Sequence, residues 1–158
     1  YGLSQNIKVS RQSAKEYIES YFAKYPAVKQ FGENNVAFAK EHGYIKTKYG
    51  RIRHIPELKS SNFNLRNFGE RVAMNMPLQG TASDIIKMSM LKVSAALKEN
   101  NLKSELILQI HDELVLDVYP GEEQQVEKLL HSAMESWVKL KVPLPISLNM
   151  GKNLLECK

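Results

Sequence analysis

His111, Asp112 and Glu113 stand between two apolar runs, Leu106-Ile107-Leu108 before them and Leu114-Val115-Leu116 with Val118-Tyr119 after them. Both flanks read as strands, so the triplet falls where the chain reverses. Histidine and aspartate tolerate the unusual backbone angles of a tight turn better than most residues. Two adjacent carboxylates at the tip of an apolar hairpin suggest metal binding and phosphoryl transfer, because two-metal chemistry places carboxylates around ions about 4 Å apart. One pair is too few for two ions, so at least one further acid must come from elsewhere. Asp84 and Asp117 read as structural rather than as that acid. Taken alone, the triplet is explained equally well as a polar hairpin turn.

A second constellation lies within residues 70–80. Arg71, Asn75 and Gln79 are spaced by four and share one face of a helix. All three carry side-chain N–H donors. The minor groove of a duplex offers acceptors at every base pair, so donors aimed there test pair shape without reading sequence. A solvated polar stripe is the competing explanation. Lys46, Lys48, Arg51 and Arg53 flank a Tyr49-Gly50 turn and suit phosphate contacts, which position rather than specify. Cations on a hairpin also protect an exposed edge. Tyr17, Tyr21 and Tyr25 read as core rather than as a base-stacking platform, and His42, His54 and His131 as ordinary scattered histidines.

The elements that must hold these groups follow from periodicity and punctuation. Ser10 caps a helix from Arg11 to about Tyr25, with Ala14, Tyr17, Ile18, Tyr21 and Phe22 on one face. Pro26 opens a second helix that ends near His42-Gly43. Residues 44–56 alternate as a hairpin. A helix from Asn62 to Asn75 is expected to kink or break at Pro77 and to resume from about Leu78 to Asn100, with Ile85, Ile86, Met90, Val93 and Leu97 inward. After the His-Asp-Glu hairpin, Pro120-Gly121 leads into a helix from Glu122 to about Lys141 and then a last strand, Ile146–Met150. The fold class is α+β with an antiparallel sheet.

The 158 residues suffice for a real core, and 43% apolar with 25% charged residues is ordinary for a globular chain. No apolar run reaches the roughly 20 residues that span a bilayer, and Tyr1-Gly2-Leu3 does not read as a secretory leader. The single cysteine, Cys157, excludes an intramolecular disulfide or a cysteine-ligated zinc site and fits a reducing compartment. Charge is uneven. Residues 1–80 hold 13 Lys/Arg, including all five arginines, against 6 Asp/Glu. Residues 81–158 hold 9 Lys against 11 Asp/Glu. A basic half suggests a polyanion and an acidic half with a carboxylate pair suggests a metal, although an unevenly charged surface explains the balance as well.

Together these segments resemble the C-terminal part of a family A DNA polymerase, of the bacterial DNA polymerase I type. The resemblance spans essentially the whole chain: Tyr1-Gly2-Leu3-Ser4, Tyr21-Phe22 with Tyr25-Pro26, Gly43-Tyr44 with Thr47 and Gly50-Arg51, then Glu70-Arg71, Asn75, Pro77, Gln79-Gly80-Thr81-Ala82, Asp84 and Lys87, and finally Gln109-Ile110-His111-Asp112-Glu113-Leu114. The last two motifs, in this order and spacing, are highly specific. The resemblance implies residues 1–60 as the remainder of a mostly helical fingers subdomain. It implies residues 61–158 as the C-terminal part of the palm, with the His-Asp-Glu hairpin in an antiparallel sheet packed against helices.

It further implies catalytic roles for Asp112 and Glu113, with Asp112 binding the two catalytic Mg²⁺ ions and Glu113 supporting them. His111 is implied beside the primer terminus, Arg71, Asn75 and Gln79 against the duplex near the primer end, Tyr1 near the template base, and Arg51 and Arg53 on template phosphates. The family often has three arginines after that glycine; Ile52 takes the middle place here. Leu154 stands where the family often has a tryptophan. The implied activity is DNA-directed DNA synthesis, with primer-template DNA and dNTP as partners, no membrane, and a cytoplasmic location, on the nucleoid in a bacterium. The family's first catalytic aspartate and its nucleotide-binding fingers helix lie upstream of Tyr1. The expectation is therefore a fragment with half an active site, inactive without the missing N-terminal part of the polymerase. A His-Asp phosphohydrolase and a duplex-binding module without catalysis are the competing classes.

Overall fold

Ser10 starts the first long helix as its spacing requires. In this computed structural model, which describes residues 2–157, the Ser10 hydroxyl accepts the Ser13 amide at 3.0 Å. That bond satisfies a donor the first helical turn cannot. A short helix α1 (Gly2–Asn6) precedes it, and α2 runs Arg11–Lys24. Pro26 opens α3 (Pro26–His42), where its missing N–H costs nothing. Gly43 closes α3 at φ 77, and its N–H donates to Ala39 O. This left-handed C-terminal position is one that glycine occupies without a Cβ penalty.

The chain then forms β1 (Tyr44–Lys46) and β2 (Ile52–His54), paired antiparallel with Ile45 opposite Arg53. A 3-10 turn at Pro56–Lys59 leads into α4, which spans Phe63–Glu99. The expected break at Pro77 does not occur, and two predicted helices are one. Proline deprives Ala73 O of its ordinary partner and crowds the preceding turn, at about 3 kcal/mol. Packing on both sides of the proline outweighs this. Ala73 and Met76 are buried with Ala39, Ile45 and Ile55 in one core, and Gly80 and Thr81 are held against the β1–β2 hairpin.

The chain divides into two compact units, residues 1–81 and 82–158, with the boundary inside α4. The second unit contains the rest of α4, β3 (Glu105–Ile110), β4 (Glu113–Asp117) and α5 (Glu123–Glu135). Val126, Leu129 and Leu130 of α5 are buried against Val93 and Leu97, with Leu114, Leu116 and Ile146 packed on them. Of the inward residues expected on α4, Val93 and Leu97 are buried and Ile85, Ile86 and Met90 are half-buried.

Three further expectations are corrected. α5 ends at Glu135, not near Lys141, because the chain turns there: the Ser136 hydroxyl donates to Ser132 O, and Trp137 Nε1 reaches the buried Ser89 hydroxyl at 3.4 Å. Residues 146–150 are not a strand. A strand exists only through a paired neighbour, and the Ile146 N–H goes instead to the Glu135 carboxylate at 2.8 Å. Tyr17, Tyr21 and Tyr25 are not core; they are 55%, 49% and 47% exposed. The α+β class with antiparallel pairing holds, as two two-stranded sheets. No helix among the described residues is long and apolar enough to cross a membrane.

Candidate functional site

His111 and Asp112 form the two-residue loop between β3 and β4, with Ile110 opposite Glu113. His111 takes φ 52, the left-handed backbone that a two-residue hairpin loop requires at its first position. A bulge between Leu106 and Leu108 shifts the register. It pairs Gln109 with Leu114, on the face that packs on α5, and leaves the Ile110–Glu113 pair on the other face. Gln109 then donates its amide to His111 O across the loop. A hydrogen-bonded tip thus presents Asp112 and Glu113 to solvent.

The two carboxylates make no hydrogen bond or ion pair among the described residues, and no group of three His, Cys, Asp or Glu capable of holding a metal is present among them. Hard oxygen donors suit a hard cation such as Mg²⁺, which typically takes one or two protein carboxylates and fills its octahedron with water and substrate phosphates. Asp112 and Glu113 therefore fit as part of such a ligand set and do not complete one.

The base of this hairpin is locked by residues the sequence did not mark. Glu122 accepts the Lys103 amide at 2.9 Å, the Ser104 amide at 2.9 Å and the Ser104 hydroxyl at 2.6 Å. The Ser104 hydroxyl in turn accepts the Tyr119 amide at 3.0 Å. The Lys103 backbone N–H, followed by the Ser104 hydroxyl, holds the Glu122 carboxyl below the usual carboxylate range. The available signal was positional: Ser104 and Glu122 sit just outside the two strands, where orphan amides need an acceptor.

In the first unit, Arg71, Asn75 and Gln79 of α4 line one cavity of about 190 Å³ with Phe68 and Met76, and Arg53 of β2 joins them from the hairpin. Arg53 is there because it pairs with Ile45, which is buried in the core beside Ala73 and Met76. Residues paired across two strands point to the same face. The Arg71 guanidinium lies 5.8 Å from the Phe68 ring centroid. Neighbouring Glu70 is engaged elsewhere, 2.6 Å from Lys40. Neither Arg53 nor Arg71 pairs with a carboxylate among the described residues, so the cavity keeps its positive charge.

The hairpin is docked by Gly80 and Thr81. Thr81 Oγ1 accepts the Lys48 amide at 3.0 Å and donates to Pro77 O. A Cβ on Gly80 would come within 2.6 Å of Thr47 Cγ2. Thr47 is buried and bound to Arg51 through both its amide and its hydroxyl. Thr47, Gly80 and Thr81 thus position Arg53; all three fell in motifs that carried the resemblance, and none had an assigned task. Arg51 lies exposed at the hairpin tip and does not line the cavity. Tyr1 falls outside the described residues. His111 belongs to the carboxylate tip in the second unit.

The profile of DNA polymerase family A matches residues 1–156. DNA polymerase I of Caldicellulosiruptor bescii is 48% identical over all 158 residues, which are 19% of its own length. DNA polymerase I of Geobacillus stearothermophilus is 44% identical, again over the whole chain and 18% of the relative. The chain thus spans about a fifth of the length of these curated relatives. Among solved structures, the POL domain of Pol1 from M. smegmatis, in complex with DNA primer-template and dNTP, superposes with a TM-score of 0.89 at 42% identity, over 93% of this chain and 26% of that one. The chain belongs to DNA polymerase family A.

Proposed function

We propose that the protein acts in DNA-directed DNA synthesis, seating the end of a primer-template duplex and supplying Asp112 to a two-metal nucleotidyl-transfer site. The observation that carries this reading is the cavity in which Arg53 from one element joins Arg71, Asn75 and Gln79 from another. Four N–H-bearing side chains around one opening suit the acceptors that a minor groove presents at every base pair, together with adjacent phosphates. The solved relative's own complex with primer-template and dNTP supports the same partners. We assign residues 1–60 to the fingers and 61–158 to the palm, and place the protein in the cytoplasm, on the nucleoid in a bacterium.

Arg71, Asn75 and Gln79 hold the duplex by its minor groove, Arg53 and Arg51 take phosphates, and Tyr1 lies near the template base. His111 lies at the primer terminus. The primer 3′-hydroxyl attacks the α-phosphate of the dNTP and pyrophosphate leaves. Asp112 would hold divalent ions, with Glu113 supporting it. Bound Mg²⁺ supplies the Lewis acidity that lowers the hydroxyl's pKa and offsets charge on the departing pyrophosphate. Two carboxylates do not enclose two ions, so a further acid from another segment of polymerase is required.

Primer extension with Mg²⁺ and dNTPs, with and without a separately made upstream portion of a family A polymerase, tests this. Extension is expected only on mixing, and Asp112→Asn should abolish it while leaving duplex binding intact. Extension by this chain alone, or by the mixture carrying Asp112→Asn, would refute the reading.

A further inference from the structure

Two registers meet in the β3–β4 hairpin. The pairs Leu108–Val115, Gln109–Leu114 and Ile110–Glu113 follow from the two-residue loop, whereas Glu105–Asp117 and Leu106–Leu116 are displaced by one residue, with Ile107 left over between them. Carried back from the loop without interruption, the ladder would set Ile107 against Leu116, Glu105 against Val118 and Ser104 against Tyr119. The pair flanking a two-residue loop exchanges both of its main-chain bonds, and every second pair after it does the same. Counted back from Ile110–Glu113, Ser104 and Tyr119 would be such a pair.

Their main-chain groups are engaged elsewhere. The Ser104 N–H donates to the Glu122 carboxylate at 2.9 Å. The Tyr119 N–H donates to the Ser104 hydroxyl at 3.0 Å, and Tyr119 O accepts the Glu122 amide at 3.0 Å. The Ser104 hydroxyl completes the clamp by donating to Glu122 at 2.6 Å, and Ser104 is buried. Side-chain burial does not select the observed register. In the uninterrupted one, Ile107 would take the place of Leu106 opposite Leu116, one aliphatic residue for another. Glu105 would come opposite Val118, but it would also leave Asp117, a like charge that now stands directly across from it. The polar clamp therefore decides. A bulge bends its strand and adds twist, which re-aims whatever lies beyond it. Beyond Ile107 lie Gln109, which bonds to His111 O, and the Asp112–Glu113 tip.

We propose that Ser104 and Glu122 are positioning residues for this tip: by engaging the main chain at Ser104 and Tyr119 they impose the bulge at Ile107, and the bulge sets where the Asp112 carboxylate stands. What that placement serves rests on the proposed function; the register does not.

Two variants test it from opposite sides. Deletion of Ile107 keeps the clamp, the loop and every observed pair, and removes only the bulge. Ser104→Ala with Glu122→Ala removes the clamp and keeps Ile107. Val93→Ala, in the buried core of the same unit, controls for lost stability alone. In the chain by itself, backbone NOEs across the hairpin should join Leu106 to Leu116 in the parent and in Val93→Ala, and Ile107 to Leu116 in the clamp variant. In primer extension by the mixture with an upstream polymerase portion, the deletion and the clamp variant should each lower kcat about 100-fold, the scale of a misplacement of about 1 Å. Both should raise the Mg²⁺ concentration needed for half-maximal rate and leave duplex affinity unchanged; Val93→Ala should do neither. The proposal is overturned if the folded clamp variant keeps the Leu106–Leu116 contact, or if the chain lacking Ile107 supports extension at the parent rate. The deletion keeps the test decisive should the clamp variant not fold. Failure of the proposed function looks different: the parent mixture then extends no primer, and the NOEs still uphold or overturn the clamp.

Discussion

Gly80→Ala tests how the hairpin is seated on α4. An added Cβ would stand 2.6 Å from Thr47 Cγ2 and 3.2 Å from Met76 Cε. Met76 can withdraw the end of a flexible side chain. Thr47 cannot, because its amide donates to Arg51 O and its hydroxyl accepts the Arg51 amide. Overpacking of this kind costs about 1–3 kcal/mol, and alanine in place of glycine restores about 1 kcal/mol of helix propensity. The net expectation is a loss of up to about 2 kcal/mol. Thr47→Ser supplies the control. It keeps Oγ1 and removes Cγ2, at about 1 kcal/mol for the lost methyl. In that background Gly80→Ala meets no methyl and should stabilise by about 1 kcal/mol. The coupling between the two positions is therefore about 1–3 kcal/mol. Urea unfolding of the four chains, followed by far-ultraviolet CD, measures it. Anisotropy with a blunt duplex should show Gly80→Ala weakening binding, as Arg53 moves with the hairpin, and Thr47→Ser restoring it. A coupling under about 0.5 kcal/mol would refute the reasoning, since well-separated positions add to within that margin.

Two further outcomes follow from the second unit. The Glu122 carboxyl is held below its ordinary range when folded, by the Lys103 amide and then the Ser104 hydroxyl. Its contribution is therefore fully present above the ordinary carboxylate pKa and is lost as pH falls, below about pH 5, towards the lowered folded value. Glu122→Gln should flatten the acid side of the stability profile followed by Trp137 fluorescence; an unchanged acid limb would remove Glu122 as its cause. His111→Ile should destabilise the hairpin by about 1–2 kcal/mol, because a β-branched side chain at φ 52 meets the next carbonyl. His111→Asn should stay within about 0.5 kcal/mol by the same unfolding assay, since asparagine visits that region readily; equal losses for the two would show that backbone conformation is not what limits this position.

What the sequence alone determined is what neighbours along the chain decide. Ser10 with Ser13, Pro26 at the start of α3 and Gly43 at its end each act within one turn, and those boundaries stand where they were read. The alternation around Tyr49-Gly50 and around His111-Asp112 likewise made both hairpins legible, and the two long motifs made the family so. Tertiary structure decided the rest, in each case through a contact distant along the chain. Pro77 looked like a stop because its lost bond is local, and α4 continues because Lys48 and Thr47 hold the following turn. Residues 146–150 looked like a strand, but the Glu135 carboxylate claims the Ile146 amide. Arg53 read as one of four hairpin cations until its pairing with buried Ile45 turned it, and not Arg51, into the cavity with Arg71. Local signals reach only as far as a helical turn or a two-residue loop, whereas a site built from several segments depends on which faces pack together.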